Sequence, residues 1–554
     1  MAGGYKQAKE AFVSGTIGST ITHVNLTVAV GLASVALNSA LRTRIPPTRS
    51  IHFSVAWIIL VVPMLLAMTT FANSPGLLSV MMLVPTGLLL MIPKKESGSP
   101  LPSTIPSTPS PASRRASGSY LASQQRARNQ MPILPSLTTY RAHMMLITIL
   151  AILAVDFQVF PRALAKCETY GVSLMDTGVG SFVFSQGVVA AIPLLRDPAY
   201  LTGSLSRKVI SVSWKNLPVL VLGLIRVLLV KGTDYPEHVS EYGAHWNFFI
   251  TLAIVPVLQV LLHPIIQWAP ISLVGVAIAA VHQLALSYGG LEVYILFEPR
   301  GSIISANKEG LISTLGYLAI HMLGLSIGTL ILPPSPSFFR RRQKQSLKQK
   351  QKKRRLSDAP NDADKEIKDT FGVHRENDKT AIELFSYSTL WWAFLGITKL
   401  TGVGSPTGSA DISRRMANLP YVLWIAAINT MFLLGYLLVD LYFFPSPLLK
   451  THYDPNSKLK SKVPPPPSHQ IAMEGSQHVS LADVHPNCSP PLLDAVNKNS
   501  LVLFLIANAA TGLINLTVQT MYVSDRVAMG ILSGYAFSIC LVAWLFRDRR
   551  IIQL

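Results

Sequence analysis

Apolar runs of about twenty residues recur along the whole chain, and few features constrain a fold more tightly. Such a run is the length of a helix crossing roughly 30 Å of hydrocarbon. In lipid every backbone N–H and C=O must find its partner within the protein, so each run is expected to be helical. Thirteen candidates occur in the 554 residues, near 21–41, 51–71, 76–93, 140–158, 177–195, 212–231, 246–265, 269–288, 309–332, 381–400, 418–441, 498–522 and 527–547. Mean hydropathy is +0.38 and only 14% of residues are charged. A soluble core cannot bury so many runs. The expected fold class is therefore all-α, a polytopic membrane protein with about 13 transmembrane helices in one bundle. The N-terminus lacks a short basic segment followed by an apolar stretch and a small-residue cleavage site, so the first run is expected to be a retained span.

A net charge of +20 would suit a nucleic-acid partner if it were spread over one face. Instead it concentrates in "RRRQKQSLKQKQKKRR", residues 340–355. A basic loop beside a helix is what fixes membrane orientation, so no nucleic acid is expected. Three polar stretches separate the runs: Ser/Pro-rich 94–139, basic 333–380 and 442–497 with "VPPPPSH". Their composition predicts flexible linkers. They divide the chain into 1–93 (spans 1–3), 140–332 (spans 4–9), 381–441 (spans 10–11) and 498–554 (spans 12–13). Placing the basic linker in the cytoplasm puts the other two linkers and the C-terminal "RDRR" there as well. The N-terminus then lies in the lumen or outside.

Several chemistries find no motif. Cys167, Cys488 and Cys540 are too dispersed for a disulfide framework or a metal pair, so neither metal nor resident cofactor is expected. A GxxxxGK[ST] phosphate loop is absent from the sequence. The His-x4-Asp arrangement of soluble-type glycerolipid acyltransferases is also missing, since "HREND" at His374 has the wrong spacing.

Polar chemistry gathers in four loops on the face opposite the linkers: 159–176, 232–245, 289–308 and 401–417. The strongest signal is "DFQVFPRALAKCETYG", 156–171. Asp156 closes a span, and Pro161 breaks the helix because it lacks an N–H. A short helix from Pro161 is expected to carry Arg162 and Lys166 on one face, with Glu168 and Asp176 following. Charges near membrane depth pair with one another or line a polar cavity. Spacing alone leaves open an interfacial salt-bridge cluster or a reactive site. In "SRRMANLPYVLW" (413–424), Arg414, Arg415 and Asn418 suit a phosphate or carboxylate grip, or equally a helix-end anchor. "EHVSEYGAHW" (237–246) offers Glu237, His238, Glu241 and His245, which read chiefly as solvated. "NKEGLISTLGYLAIHMLG" (307–324) reads as close helix packing. The stripe Thr511, Asn515, Gln519 and Tyr522 reads as a helix-joining face.

Five blocks in order, "YKQAKEAFVSGTIGST", "DFQVFPRALAKCETYGVSLMDTGVGSFVFSQG", "NKEGLISTLGYLAIHMLG", "SRRMANLPYVLW" and "NAATGLINLTVQTMY", resemble the fungal GPI-anchored wall transfer family. This is the counterpart of the animal inositol acyltransferase of glycosylphosphatidylinositol (GPI) synthesis. The resemblance implies a multi-pass enzyme of the endoplasmic reticulum membrane, working among membrane lipids. Palmitoyl-CoA would be the acyl-donor substrate, and the inositol 2-hydroxyl of glucosaminyl-phosphatidylinositol the acceptor. The family's proposed catalytic pair maps to Asp156 and Lys166. A carboxylate suits the task of a base toward a hydroxyl, and an ammonium suits a developing oxyanion. Arg162, Glu168 and Asp176 would then orient the pair, and Arg414, Arg415 and Asn418 would hold a phosphate. Composition alone also permits a secondary transporter of a lipid or small anionic solute. The lack of internal repeats, and polar clusters at one surface, argue against it.

Overall fold

The computed structural model describes residues 9, 11–12, 14–46, 51–94, 134–197, 200–231, 239–353, 375–402, 411–444 and 489–551. Its helices are α1 (Ile21–Arg42), α2 (Phe53–Leu60), α3 (Val62–Ala67), α4 (Pro75–Leu90), α5 (Pro135–Ala154), α6 (Leu174–Arg196) and α7 (Leu205–Lys231). There follow α8 (Val239–Tyr242), α9 (Phe248–Leu261), α10 (His263–Ile266), α11 (Ile271–Ser287), α12 (Leu291–Phe297), α13 (Ile303–Ala306) and α14 (Lys308–Ile331). The last six are α15 (Phe338–Lys353), α16 (Asn377–Thr401), α17 (Leu419–Phe443), α18 (Pro491–Lys498), α19 (Ser500–Thr517) and α20 (Asp525–Leu545). Among the described residues the only extended pairing is an isolated bridge between Ser19 and Val172.

Every one of the thirteen apolar runs carries a helix, so the all-α membrane bundle is the fold. The expected count of thirteen is not reproduced. Among the described residues, eight helices can cross a membrane by length and hydropathy: α1, α5, α6, α7, α14, α17, α19 and α20. The number is nine if α11 and α12, bent by 63° to one another, form one broken span. The reasons for the shortfall are local. The run at 53–67 is split into α2 and α3 beside Pro63, whose ring removes an N–H from the ladder. α4 and α9 are short, and α16 is long but carries Asp378, Lys379, Glu383 and Lys399.

α14 is the axis of the bundle, with 94% of its apolar window buried, whereas α7 has 11% and faces outward. Its contact with α6 depends on glycines. A Cβ on Gly324 would lie 2.1 Å from the Phe184 carbonyl oxygen, and one on Gly187 the same distance from that of His321. Gly328 meets the Val188 carbonyl at 2.3 Å in the same way. In lipid, where apolar surface gains little by hiding from a neighbouring helix, this backbone approach is a main source of attraction. The packing expected of the 307–324 block is thus present, and both partners carry small residues.

The linkers need correction where they are described. Within 333–380, expected to be flexible, α15 is a helix anchored at its start: Phe338 and Phe339 are buried. From α15, Arg342 Nη1 donates to the Leu195 carbonyl and Gln343 Nε2 to that of Ile266, both at 2.6 Å. The aromatic pair and the carbonyl-rich ends of neighbouring helices hold a segment whose composition alone gives no reason to fold. α18, inside 442–497, likewise buries Leu492, Leu493 and Val496. Residues 95–133, 354–374 and 445–488 lie outside the described residues, His374 and Cys488 among them.

Gly187→Ala is expected to destabilise the purified protein by about 1–3 kcal/mol through overpacking, seen as a lower midpoint in thermal unfolding in detergent. Gly534→Ala, where an added Cβ meets nothing within 4 Å, should leave the midpoint unchanged or slightly higher. Equal effects of the two would contradict the close packing of α6 and α14.

Candidate active site

Five spans put one end each into a single polar region. They are the C-terminal ends of α5 and α19 and the N-terminal ends of α6, α14 and α17. Asp156 stands just past α5 and is only 4% exposed. Its Oδ2 accepts a hydrogen bond from Asn515 Nδ2 at 2.8 Å, and its Oδ1 lies 3.3 Å from the Lys9 ammonium. Lys9 also donates to Asn515 Oδ1 at 3.0 Å, closing a triangle of three side chains.

The helix expected from Pro161 is a single 3-10 turn, Arg162–Leu164, and it does not carry Arg162 and Lys166 on one face. A helix leaves its last carbonyls unpaired, and Arg162 is drawn to that of Val155, which caps α5, and to two carbonyls of the loop that follows. Its Nη2 donates to the carbonyls of Val155 at 2.7 Å, Phe160 at 3.1 Å and Phe157 at 3.4 Å. Its guanidinium also lies over the Phe12 ring, 4.0 Å from the centroid. Burial lowers its pKa to about 10, with the Asp156 charge opposing, so it remains a cation at neutral pH.

Lys166 belongs to a second cluster. Its ammonium sits 2.9 Å from Glu241 Oε1 and 3.2 Å from Oε2. Glu241 Oε1 also accepts from Arg414 Nη2 at 3.2 Å, and Arg414 Nε donates to Asp176 Oδ1 at 2.7 Å. Signs alternate along this chain, from Lys166 through Glu241 and Arg414 to Asp176. Asp176 stands in the first turn of α6, where its Oδ2 accepts from Ser173 Oγ at 2.8 Å and from Cys167 N at 3.1 Å. Burial opposes the charge on Arg414, but Glu241 and Asp176 outweigh it and hold its pKa well above the ordinary value. Burial, reinforced by the Asp176 carboxylate, pushes the Cys167 thiol upward, so this cysteine is a neutral and weak nucleophile. The only member open to its surroundings is Lys166, whose side chain is 40% exposed. Among the described residues no ion pair joins Asp156 to Lys166.

A third cluster adjoins the second. Glu309, fully buried in the first turn of α14, accepts from Arg415 Nη2 at 2.9 Å and from Arg300 at 2.6 and 3.2 Å. Arg415 Nε is buried without a partner. Asn418 is the N-cap of α17: its Oδ1 accepts from the Tyr421 and Ser413 amides at 3.2 and 3.1 Å, the usual role of Asn there. Glu168 accepts from the Gly15 amide at 2.8 Å. Sequence reasoning therefore missed Lys9, Arg300 and Glu309 as parts of the site, and read Glu241 as solvated and Asn515 as helix-joining. The signals lay in the N-terminal block, in the 237–246 loop and in the polar stripe. Glu237 and His238 lie outside the described residues.

The model of the GWT1 family matches residues 5–546. The chain belongs to the GWT1 family. Among its relatives is the GPI-anchored wall transfer protein 1 of Cryptococcus neoformans var. grubii, 42% identical over 76% of this chain. That match spans 63% of the relative's own length. The proteins of the same name from Aspergillus fumigatus and Aspergillus oryzae are 36% and 35% identical. These matches cover 97% of both chains in the first case and 100% in the second.

Removing Arg414 would leave the wholly buried Asp176 carboxylate without a counter-charge and Glu241 with Lys166 alone. Arg414→Gln is expected to cost about 3–5 kcal/mol of stability, measured as loss of the folded peak in size-exclusion chromatography or a large fall in thermal midpoint. Lys166→Gln breaks a half-exposed pair and should cost no more than about 1 kcal/mol. A well-folded Arg414→Gln variant would contradict the structural weight given to this pair.

Proposed function

We propose that the chain acts in GPI-anchor biosynthesis as an acyl-CoA-dependent inositol acyltransferase of the endoplasmic reticulum membrane. In this reading palmitoyl passes from palmitoyl-CoA to the inositol 2-hydroxyl of glucosaminyl-phosphatidylinositol. No resident cofactor enters the scheme. Membership of the GWT1 family and the printed names of its relatives support a role in GPI assembly. The observation that carries the finer reading is a carboxylate and an ammonium held at the same end of the bundle, each fixed by its own partners.

In this scheme Asp156 accepts the proton of the inositol hydroxyl as its oxygen attacks the thioester carbonyl. The tetrahedral oxyanion faces the Lys166 ammonium, which has three donors and gives one to Glu241 Oε2. The attack itself forms the ester C–O bond; collapse re-forms the carbonyl, breaks the C–S bond and releases coenzyme A, whose sulfur takes up the proton from Asp156. Asp176 and Arg414 hold Glu241, and through it Lys166. Arg162 and Glu168 fix the loop between Asp156 and Lys166. Arg415, with its unpaired Nε, and Arg300 suit a substrate phosphate, whereas Asn418 acts through the start of α17.

The test is acyl transfer by purified protein from radiolabelled palmitoyl-CoA to glucosaminyl-phosphatidylinositol. Wild type should transfer. Asp156→Asn and Lys166→Ala, folded by thermal midpoint, should lose on the order of 100- to 1,000-fold in rate. Transfer that survives both changes would move the site, and no transfer by intact wild type would remove the assignment.

A further inference from the structure

The segment ahead of the first span lies along the loop that carries Asp156 and Lys166, touching it from one end to the other. Lys9 meets Asp156, Phe12 lies under Arg162, and the Gly15 amide donates to Glu168. Thr16 Oγ1 donates to the Lys166 carbonyl, and the Ser19 amide donates to the Val172 carbonyl at 2.6 Å. The fit at the far end leaves no spare room. Gly18 has φ of +82°, and a Cβ there would lie 2.5 Å from both Cys167 Sγ and the Val172 carbonyl oxygen. Nothing in the hydropathy of residues 9–19 calls for such docking.

Lys9 is 8% exposed although it precedes every span. A long, strongly hydrated ammonium does not leave water without a specific partner. Its partner is the carboxylate at the end of α5. The Lys9–Asn515–Asp156 triangle engages both carboxylate oxygens, one with Lys9 and the other with Asn515. Two anchors on two oxygens remove the freedom of the carboxyl group to rotate about its bond to Cβ.

We propose that Lys9 and Asn515 are positioning residues for Asp156, and that the N-terminal strap is part of the reactive centre. The proposal rests on the acyltransferase reading of that centre. Lys9 supplies the counter-charge that a buried carboxylate needs, and with Asn515 it aims the carboxylate at the acceptor hydroxyl. Lys166, with Glu241 as its own counter-charge, remains available to the other side of the reaction. The ammonium that Asp156 depends on is therefore the one from the N-terminal strap.

The experiment uses the full chain in lipid nanodiscs with radiolabelled palmitoyl-CoA and glucosaminyl-phosphatidylinositol. It compares wild type, Lys9→Met, Lys9→Arg, Asn515→Leu, Asp156→Asn and the double variant Lys9→Met/Asp156→Asn. Lys9→Met and Asn515→Leu should each lower kcat about 10- to 100-fold, with KM for either substrate changed less than threefold. Lys9→Arg should recover most of the rate, because the charge returns. Lys9→Met should cost nothing further in the Asp156→Asn background, since its effect passes through that carboxylate. Should Lys9→Met fail to fold, Lys9→Gln removes the charge, keeps a donor and is read in the same way. An active wild type with Lys9→Met within threefold of it, or additive losses in the double variant, would overturn the positioning role and leave the acyltransferase assignment standing. An inactive wild type would sink both.

Discussion

The buried pair of Asp176 and Arg414 is the contact on which the rest of the region depends. It ties the first turn of α6 to the loop ahead of α17, and each partner draws in another segment. Asp176 takes the Cys167 amide and so fixes the loop that carries Lys166. Arg414 takes Glu241 and so fixes α8. The carbonyls of the two residues are also satisfied, by Tyr421 Oη at 2.9 Å and Tyr317 Oη at 3.3 Å. A buried ion pair is weak as a source of net stability because desolvation offsets the attraction, but it penalises misplacement severely. Its role here is registry. Four segments, drawn from three distant parts of the sequence, agree on one arrangement because any other leaves a charge alone in an apolar surrounding.

That registry needs the helices to come close. A Cβ on Gly180 would stand 2.6 Å from Ile425 and 2.9 Å from Tyr421 Oη, so only glycine lets α17 approach α6 closely enough for Tyr421 to reach the Asp176 carbonyl. From that rigid base the charge chain runs outward, from Asp176 and Arg414 in the interior to Lys166 at the edge. Most of the charge chain is buried scaffold, and its last member is the most exposed one. This ordering suits electrostatic catalysis, in which the groups facing developing charge are placed in advance and do not reorganise as it appears.

The membrane bundle was legible in the sequence because hydrocarbon imposes a length and a composition on every crossing. The charges of the site were legible for the same reason: desolvation makes each one costly, so Asp156, Lys166, Asp176, Arg414 and Arg415 stand out among apolar neighbours. Their partners were not legible. Asp156 and Asn515 are 359 residues apart, and Asp176 and Arg414 are 238 apart, so no local pattern relates them. Where local spacing was used it misled. Arg162 and Lys166 have helical spacing, but the guanidinium turns back to the carbonyl capping α5 and to carbonyls of the loop after it, and only a single 3-10 turn forms. Lys9 was hidden for a different reason: a lysine ahead of a span is ordinarily a solvated anchor, and only docking of the whole segment buries it.

The separation of Asp156 from Lys166 has a chemical logic. Were the two paired with each other, the proposed base and oxyanion partner would each spend their charge on the other, and a substrate would have to break that pair before reacting. Each instead has its own counter-charge, Lys9 for Asp156 and Glu241 for Lys166, and the gap between them is set by the backbone. That backbone is pinned from within by Arg162, whose Nη2 donates to the Val155 and Phe160 carbonyls at 2.7 and 3.1 Å, and at its far end by Thr16 Oγ1, which donates to the Lys166 carbonyl. Two neutralised pairs joined by a pinned loop have a spacing that does not depend on the attraction of Asp156 for Lys166. In the proposed acyl transfer, that independence leaves Asp156 to take a proton and Lys166 to face an oxyanion without first being parted from one another.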